Sequence, residues 1–365
     1  MTRPSHALID LDALQANYRL AHSLSVRHSS SAQTLAVVKA NAYGHGAIQT
    51  AMALEPLAPA LAAACCDEAL ELRSAGIAKP IVLLEGIFSA DEVALCAQHH
   101  FWPMVENSRQ IDAIVNAAIP APINVWLKVD TGMHRLGMQP QDFPSQYQRL
   151  KTSANVIGDI VVATHFASAD ELDNPFTRTQ IERLRSLTGD GQIPLSMANS
   201  PALLGWEDAR ADWNRPGFML YGSSPFSAPH PLADQLQPVM SFNTRVMSVR
   251  HIAAGEAVGY GETWRAQRPS TIATIPVGYG DGYPRNAPSG TPLLVNGMRA
   301  TLAGRVSMDL ITTDVTDLPS VQAGDEVELW GKNLLVNEVA SWANTSPYEL
   351  LTRIPGRLRR IYSGQ

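Results

Sequence analysis

At 365 residues, with 45% hydrophobic and 17% charged positions, the chain has enough apolar material for two packed units, which excludes a disordered or low-complexity protein. A formal net charge of −6 argues against a nucleic-acid or anionic-membrane surface. No apolar run approaches the roughly 20 residues of a membrane span, and Met1–His6 lacks the apolar core of a secretory signal, so a cytoplasmic protein without membrane contact is expected.

In chain order, strand-like runs fall at Ala7–Ile9, Leu35–Lys39, Leu61–Ala64, Ile81–Leu84, Trp102–Val105, Val125–Val129, Ile160–His165 and Leu195–Ala198. Amphipathic stretches such as Leu11–Leu24, Ser89–Gln98, Arg109–Ala118 and Pro175–Leu187 lie between them. Alternation of this kind, over about 230 residues, predicts parallel strands closed into an α/β (β/α)8 TIM-like barrel. An open doubly wound sheet is the alternative, but no GxGxxG follows a first strand. The pattern changes near Asp234–Pro238. Beyond it, Val239–Ile252 reads as one long strand, followed by Thr271–Gly278, Leu293–Gly304, Met308–Val315 and Glu326–Leu329 among Gly, Pro, Asn and Asp turns. A helical finish is expected over Leu335–Ala343 and Pro347–Arg353. The expected domains are therefore a barrel over 1–235 and a mostly β C-terminal domain over 236–365.

Several strand ends carry polar groups, and barrel sites are built at the C-terminal ends of strands. Lys39, one of five lysines, closes an apolar run just before the glycine-rich Asn41-Ala42-Tyr43-Gly44-His45-Gly46. A buried amine is destabilising unless something uses it, and burial suits it to covalent chemistry with a carbonyl. A lysine that snorkels to solvent is the alternative that the local pattern leaves open. Lys128–Gly137, Thr164–Asp170, Met197–Ser200 and Asn214–Gly222 supply further cationic and neutral polar groups at strand ends. Neither a carboxylate pair nor a metal-ligand pattern stands out. Cys65, Cys66 and Cys96 have no ligand spacing, and the ten histidines contain no HxxxH or HExxH, so no metal is expected.

Taken together, Val38–Gly46, Asp130–Gly137, Thr164–Glu171, Ala198-Asn199-Ser200, Arg215–Gly222, Tyr260, Ile275–Gly282 and Gly304–Asp309 resemble the alanine racemases, with Lys39 in the position of their pyridoxal-phosphate lysine. The likeness runs in order through almost the whole chain. It implies a pyridoxal 5'-phosphate barrel followed by a β domain, in a homodimer whose active sites are shared between subunits. It also implies that the chain interconverts L- and D-alanine, for peptidoglycan supply or for alanine catabolism.

By the same resemblance, Lys39 holds the cofactor and serves as one catalytic base. Tyr260 of the partner subunit is the second, helped by His165 and Arg215. Racemisation removes a proton from one face of Cα and delivers one to the other, so two opposed bases are needed. Arg215 faces the cofactor's pyridine nitrogen, and as a pure donor it keeps that nitrogen unprotonated. Tyr43, Asn199, Ser200, Gly217 and Phe218 are cofactor-binding positions, the phosphate falling to Tyr43, Ser200 and the backbone near Gly217. Arg135 matches an arginine near the cofactor and the substrate carboxylate. Met308, Tyr279 and Asp309 match substrate-side positions. Lys128 matches a lysine that is often carbamylated; an ordinary pairing with Asp130 is the alternative. Some members have a further phosphate-contacting tyrosine near the C-terminus. The alignment of Arg353–Arg357 sets Gly356 in its place, so no such tyrosine is expected there.

Other readings are a broad-specificity racemase, a cofactor-homeostasis protein resembling only the barrel, and a barrel decarboxylase. The β domain carrying Tyr260, Tyr279 and Met308 weighs against the homeostasis protein, and the Tyr260 and Arg215 segments weigh against the decarboxylase.

Overall fold

The computed structural model describes residues 3–189 and 191–364. Among these residues, seven parallel strands follow one another around a curved sheet: Ala36–Val37, Leu61–Ala63, Ile81–Leu83, Phe101–Val105, Trp126–Lys128, Val161–Ala163 and Leu195–Ser196. Trp213–Asn214 closes it. That strand pairs in parallel with Gln33–Thr34, Leu35 N–H donates to Asn214 O at 2.8 Å, and Arg215 N–H donates to Ala198 O at 2.9 Å on the other side. The first unit is thus the expected eight-stranded barrel, ringed by helices such as Leu11–Ser25, Cys66–Ser74 and Phe176–Thr188.

Both faces of these strands are buried, as parallel barrel strands require. Alternate residues therefore enter two different cores. Leu35, Val37, Ala62, Val82, Trp126, Val161 and Ala163 fill the barrel interior, with Trp102 and Trp213 packed against them. Ala36, Val38, Ala63, Leu83, Leu127 and Val162 face the helices. Trp213 meets Trp126 edge-on at 5.5 Å and Trp102 at 5.9 Å, which plugs the lower barrel.

The second unit is a nine-stranded sheet. His6–Asp10 belongs to it rather than to the barrel. It lies antiparallel to Met240–Arg245 and parallel to Arg359–Ser363. The sequence run at Ala7–Ile9 looks like its barrel counterparts because it is as apolar as they are, but only its alternate residues are buried and its hydrogen-bond partners lie in the β sheet. Val239–Ile252, expected as one strand, is two. Met240–Arg245 pairs with His6–Asp10 and Glu326–Trp330, whereas Ser248–Ile252 pairs with Ser270–Ile275 near the other end of the sheet. The expected Leu293–Gly304 strand is a hairpin, Pro292–Val295 and Met298–Leu302. Its turn is Asn296-Gly297, with φ of 50° and 76°, the left-handed pair that a tight hairpin turn requires. Helices Val336–Trp342 and Pro347–Thr352 follow the expected finish. No helix among the described residues is long and apolar enough to cross a membrane.

Candidate active site

The alternation that fills the barrel also builds its mouth. Leu35 and Val37 point inward, so Lys39 continues that row. Trp126 precedes Lys128, Val161 and Ala163 precede His165, and Trp213 precedes Arg215 in the same way. All four line a cavity of about 470 Å³ together with Tyr43, Arg135, Asn199, Ser200, Gly217 and Phe218. Ten of the fourteen expected site residues thus share one wall.

The four inward groups, three of them cationic types, share the cavity, and the protein holds them unequally. Arg215 is buried; its Nη1 donates to Ser196 O at 2.8 Å and to Ser196 Oγ at 2.6 Å, and its Nη2 to Thr164 O at 2.6 Å and to Met197 O at 3.3 Å. Burial lowers its pKa to about 10, which leaves it charged at neutral pH. Its Nε makes no hydrogen bond with another described residue. None of these bonds goes to His165, so the expected chain from Arg215 through His165 is not preformed. Burial, then Arg215, Lys128, Arg135 and Lys39, press the His165 pKa well below the ordinary imidazole value, and the ring is neutral. Burial and the neighbouring Arg215 and Arg135 bring the Lys128 pKa down to about 8. Asp130 does not offset this. Its carboxylate accepts from Gly132 N–H at 2.9 Å, His134 N–H at 3.1 Å and His134 Nδ1 at 2.8 Å, and bonds no lysine. The Lys128–Asp130 pairing is therefore absent.

Lys39 opens an unusual turn. Ala40, Asn41, Ala42 and Tyr43 all adopt left-handed backbone, with φ between 50° and 54°. Each such residue costs about 1–2 kcal/mol, so neighbouring structure must hold the run. Ala40 N–H donates to Glu68 Oε1 at 2.8 Å. Ala47 N–H donates to Asn41 Oδ1 at 2.8 Å, and His45 Nδ1 lies 3.0 Å from Ala42 O and 2.9 Å from Tyr43 O. The C-terminal strand reaches across: Arg360 Nε donates to Gly44 O at 2.7 Å and Tyr362 Oη to His45 O at 3.1 Å. Gly44 is obligatory, since a Cβ there would lie 1.9 Å from Leu351 O.

Anion donors gather beside this turn. Ser200 Oγ accepts Gly217 N–H at 3.0 Å and Met219 N–H at 3.1 Å, which leaves its own proton to donate. Phe218 N–H has no partner among the described residues. Burial raises the Tyr43 pKa to about 12, so its hydroxyl stays a donor. A Cβ on Gly217 would lie 2.6 Å from that hydroxyl, and glycine keeps the space open. Asn199 lines the cavity but spends its side-chain oxygen on Ala202 N–H at 3.1 Å, capping the helix Ser200–Gly205.

One lining residue escaped the sequence reading. Tyr348, in the first turn of Pro347–Thr352, stacks on Phe218 with ring centroids 3.6 Å apart and lies 6.3 Å from the Tyr43 ring. Burial raises its pKa, so it too is a neutral donor. Gly356 stands where the resemblance set it, and Tyr348, from the helix that precedes it, lines the cavity instead. The signal was the Ser346-Pro347 helix start, which fixes where Tyr348 lies on its helix but says nothing of what that helix covers.

Tyr260, Tyr279, Met308 and Asp309 do not line the cavity. They sit on the β domain, with Tyr260 71%, Met308 53% and Tyr279 41% exposed. Tyr279 N–H donates to Ser307 O at 3.0 Å, Gly280 N–H to Met308 O at 2.9 Å, and Arg357 Nη2 to Asp309 Oδ1 at 2.5 Å. The Tyr260 turn borders the same region, with Gly259 and Gly261 beside Arg305. This exposed patch carries an aromatic hydroxyl and a Met308 N–H without a partner among the described residues.

Residues 9–225 match the family model for the alanine racemase N-terminal domain, and residues 239–362 match the C-terminal domain. A catabolic alanine racemase of Pseudomonas putida is 49% identical over 363 residues, covering 100% of both chains. The crystal structure of the biosynthetic alanine racemase of Pseudomonas aeruginosa superposes with a TM-score of 0.94 at 45% identity, over 100% of both chains. The alanine racemase of Bartonella henselae, solved with covalently bound pyridoxal phosphate, gives 0.86 at 32% identity and covers 99% of each.

Proposed function

Since the chain belongs to the alanine racemase family, and as such is an isomerase acting between L- and D-alanine, we propose that it works with pyridoxal 5'-phosphate by a two-base mechanism divided between two subunits. The observation that carries this is the division of the polar groups. The barrel cavity holds an inward lysine among anion donors, while the exposed β-domain patch holds a tyrosine with no cavity of its own.

The residues present fit the cofactor. Lys39 is the amine that holds it covalently. The spare Arg215 Nε–H suits its ring nitrogen, and Ser200, Tyr43, Tyr348 and the Phe218 N–H suit its phosphate. Gly217 leaves room for that group. Bound there, pyridoxal phosphate supplies the electron sink that makes an amino acid's Cα–H acidic. Arg215, bonded to four backbone and side-chain acceptors, cannot give up its proton and so holds the ring nitrogen as an acceptor. That weakens the sink and favours simple proton return over transamination.

Lys39 takes or gives the Cα proton on one face, and Tyr260 of a second copy does so on the other. Arg135 and the Met308 N–H of that copy receive the substrate carboxylate, with Tyr279 and Asp309 narrowing the approach. His165, held neutral, lines the same cavity and offers a ring nitrogen to hydrogen-bond the entering tyrosine hydroxyl, while Arg215 keeps its proton. Lys128 carries the carbamate that the resemblance implies. A low pKa provides neutral amine to attack the carbon of carbon dioxide; a C–N bond forms and the proton leaves to water. The resulting anion would sit between Arg135 and Arg215 in place of a third cation. Such an enzyme serves D-alanine supply and alanine catabolism alike, because the enantiomers are isoenergetic in water.

The test is Cα proton exchange in deuterated water. The wild type converts L-alanine into D-alanine carrying deuterium at Cα. Tyr260→Phe retains the covalent cofactor, loses racemisation by roughly 10²–10⁴-fold, and still exchanges the Cα proton of one enantiomer through Lys39. Unchanged racemisation in Tyr260→Phe removes the second base.

A further inference from the structure

We propose that Glu68 is a positioning residue for the catalytic lysine, acting by holding the left-handed turn that Lys39 opens; this rests on Lys39 as the cofactor-bearing residue. Glu68 lies in the first turn of the helix Cys66–Ser74, directly after the barrel strand Leu61–Ala63. One carboxylate oxygen accepts the Ala64 N–H at 2.8 Å, at the end of that strand. A glutamate at this place commonly reaches back to cap the start of its own helix. Capping needs a single oxygen. The second oxygen accepts the Ala40 N–H, also at 2.8 Å, and Ala40 is the residue after Lys39. One carboxylate therefore ties the lysine's peptide to the neighbouring strand end.

The tie falls where the backbone most needs it. Ala40 begins the run of left-handed residues through Tyr43, and none of the four is glycine. The far end of the run is already fastened by Arg360 on Gly44 O and Tyr362 on His45 O. Among the described residues, Glu68 is the side chain that binds the near end, beside Lys39. Two cavity groups hang from this turn, Lys39 at its start and Tyr43 at its close. A change in the pitch of the turn moves the amine and the phosphate-side hydroxyl relative to each other. Displacements near 1 Å cost catalysis on the order of 10²-fold. Glutamine offers one acceptor oxygen and must turn its amide N–H groups toward the other donor, so it restores at most one of the two bonds.

The experiment compares the holoenzyme with Glu68→Ala and Glu68→Gln. The readouts are kcat, KM, the pH at which the lysine-linked cofactor's visible absorption titrates, and the cofactor dissociation constant of the apoprotein. The expected result for Glu68→Ala is a kcat loss of about 10–100-fold with KM changed less than about threefold, a displaced titration midpoint, and cofactor affinity weakened about tenfold. Glu68→Gln lies between wild type and Glu68→Ala on each measure. A helix cap alone lowers the melting temperature and leaves the titration and kcat where they were; that outcome in Glu68→Ala overturns the proposal. Borohydride reduction of the wild type followed by peptide mapping separates the two levels. Label on Lys39 with an unaffected Glu68→Ala defeats the role of Glu68 alone. Label on another lysine defeats the assignment of Lys39 and this proposal with it.

Discussion

Lys128 shows how a single buried group reports on its own chemical state. As a free amine its pKa is brought from near 10.4 in the unfolded chain to about 8 in the fold, by burial and the flanking arginines. Between those values the unfolded state binds more protons, so stability rises with pH across that window. Below about 8 the folded state carries the full penalty, on the order of 3 kcal/mol. In carbonate-free buffer, Lys128→Met is therefore expected to be more stable than wild type at pH 7 by about 1–3 kcal/mol, a gain that fades above pH 10. Bicarbonate reverses the sign if the carbamate forms, because wild type then gains an anion between two guanidinium groups. Denaturant unfolding with and without bicarbonate reads this directly; no dependence on bicarbonate removes the carbamate. At this scale much was legible in the chain. The strand parity that turns Leu35 and Val37 inward also turns Lys39 inward, and the same reading serves Lys128, His165 and Arg215. Tyr348 was not legible, because no local period says which surface a short helix covers.

The turn from Lys39 to Gly46 is the element on which the site depends. Four residues with a Cβ sit in a region that glycine occupies freely, and Gly44 closes the run in a space with no room for a side chain. Gly44→Ala is expected to destabilise the fold by about 2–4 kcal/mol and to weaken cofactor binding. Thermal unfolding of the apoprotein and cofactor titration would check the two effects separately; a melting temperature within a degree of wild type contradicts the crowding at Leu351. The motif signalled a turn through its glycines, but its hand was hidden, since alanine and asparagine here run against local preference and tertiary contacts overrule them. In the β domain the opposite held. Asn296-Gly297 carried an ordinary hairpin signal inside what had read as one long strand, and the strand break at Val246–Met247 lacked any glycine or proline to announce it.

Across the whole molecule the termini bind the two units together. His6–Asp10 lies between Met240–Arg245 and Arg359–Ser363, and the last of these strands supplies the Arg360 and Tyr362 contacts to the Lys39 turn. We place the division between units near 235/236, with the first strand counted in the β domain. One chain then presents a cavity and, apart from it, an exposed patch with Tyr260, Tyr279 and Met308. In the proposed homodimer each cavity would meet the other copy's patch, a relation that no single sequence displays. Two variants measure this directly. In a mixed dimer of Lys39→Ala with Tyr260→Phe, one site contains both defects and the other contains neither. Each variant alone should be nearly inactive. After subunit exchange, random pairing makes about half the dimers mixed, each with one intact site, so about a quarter of wild-type activity should return. Sites confined to single chains predict that the mixture stays as inactive as its parts, and that result, with subunit exchange demonstrated, would contradict the shared two-base site.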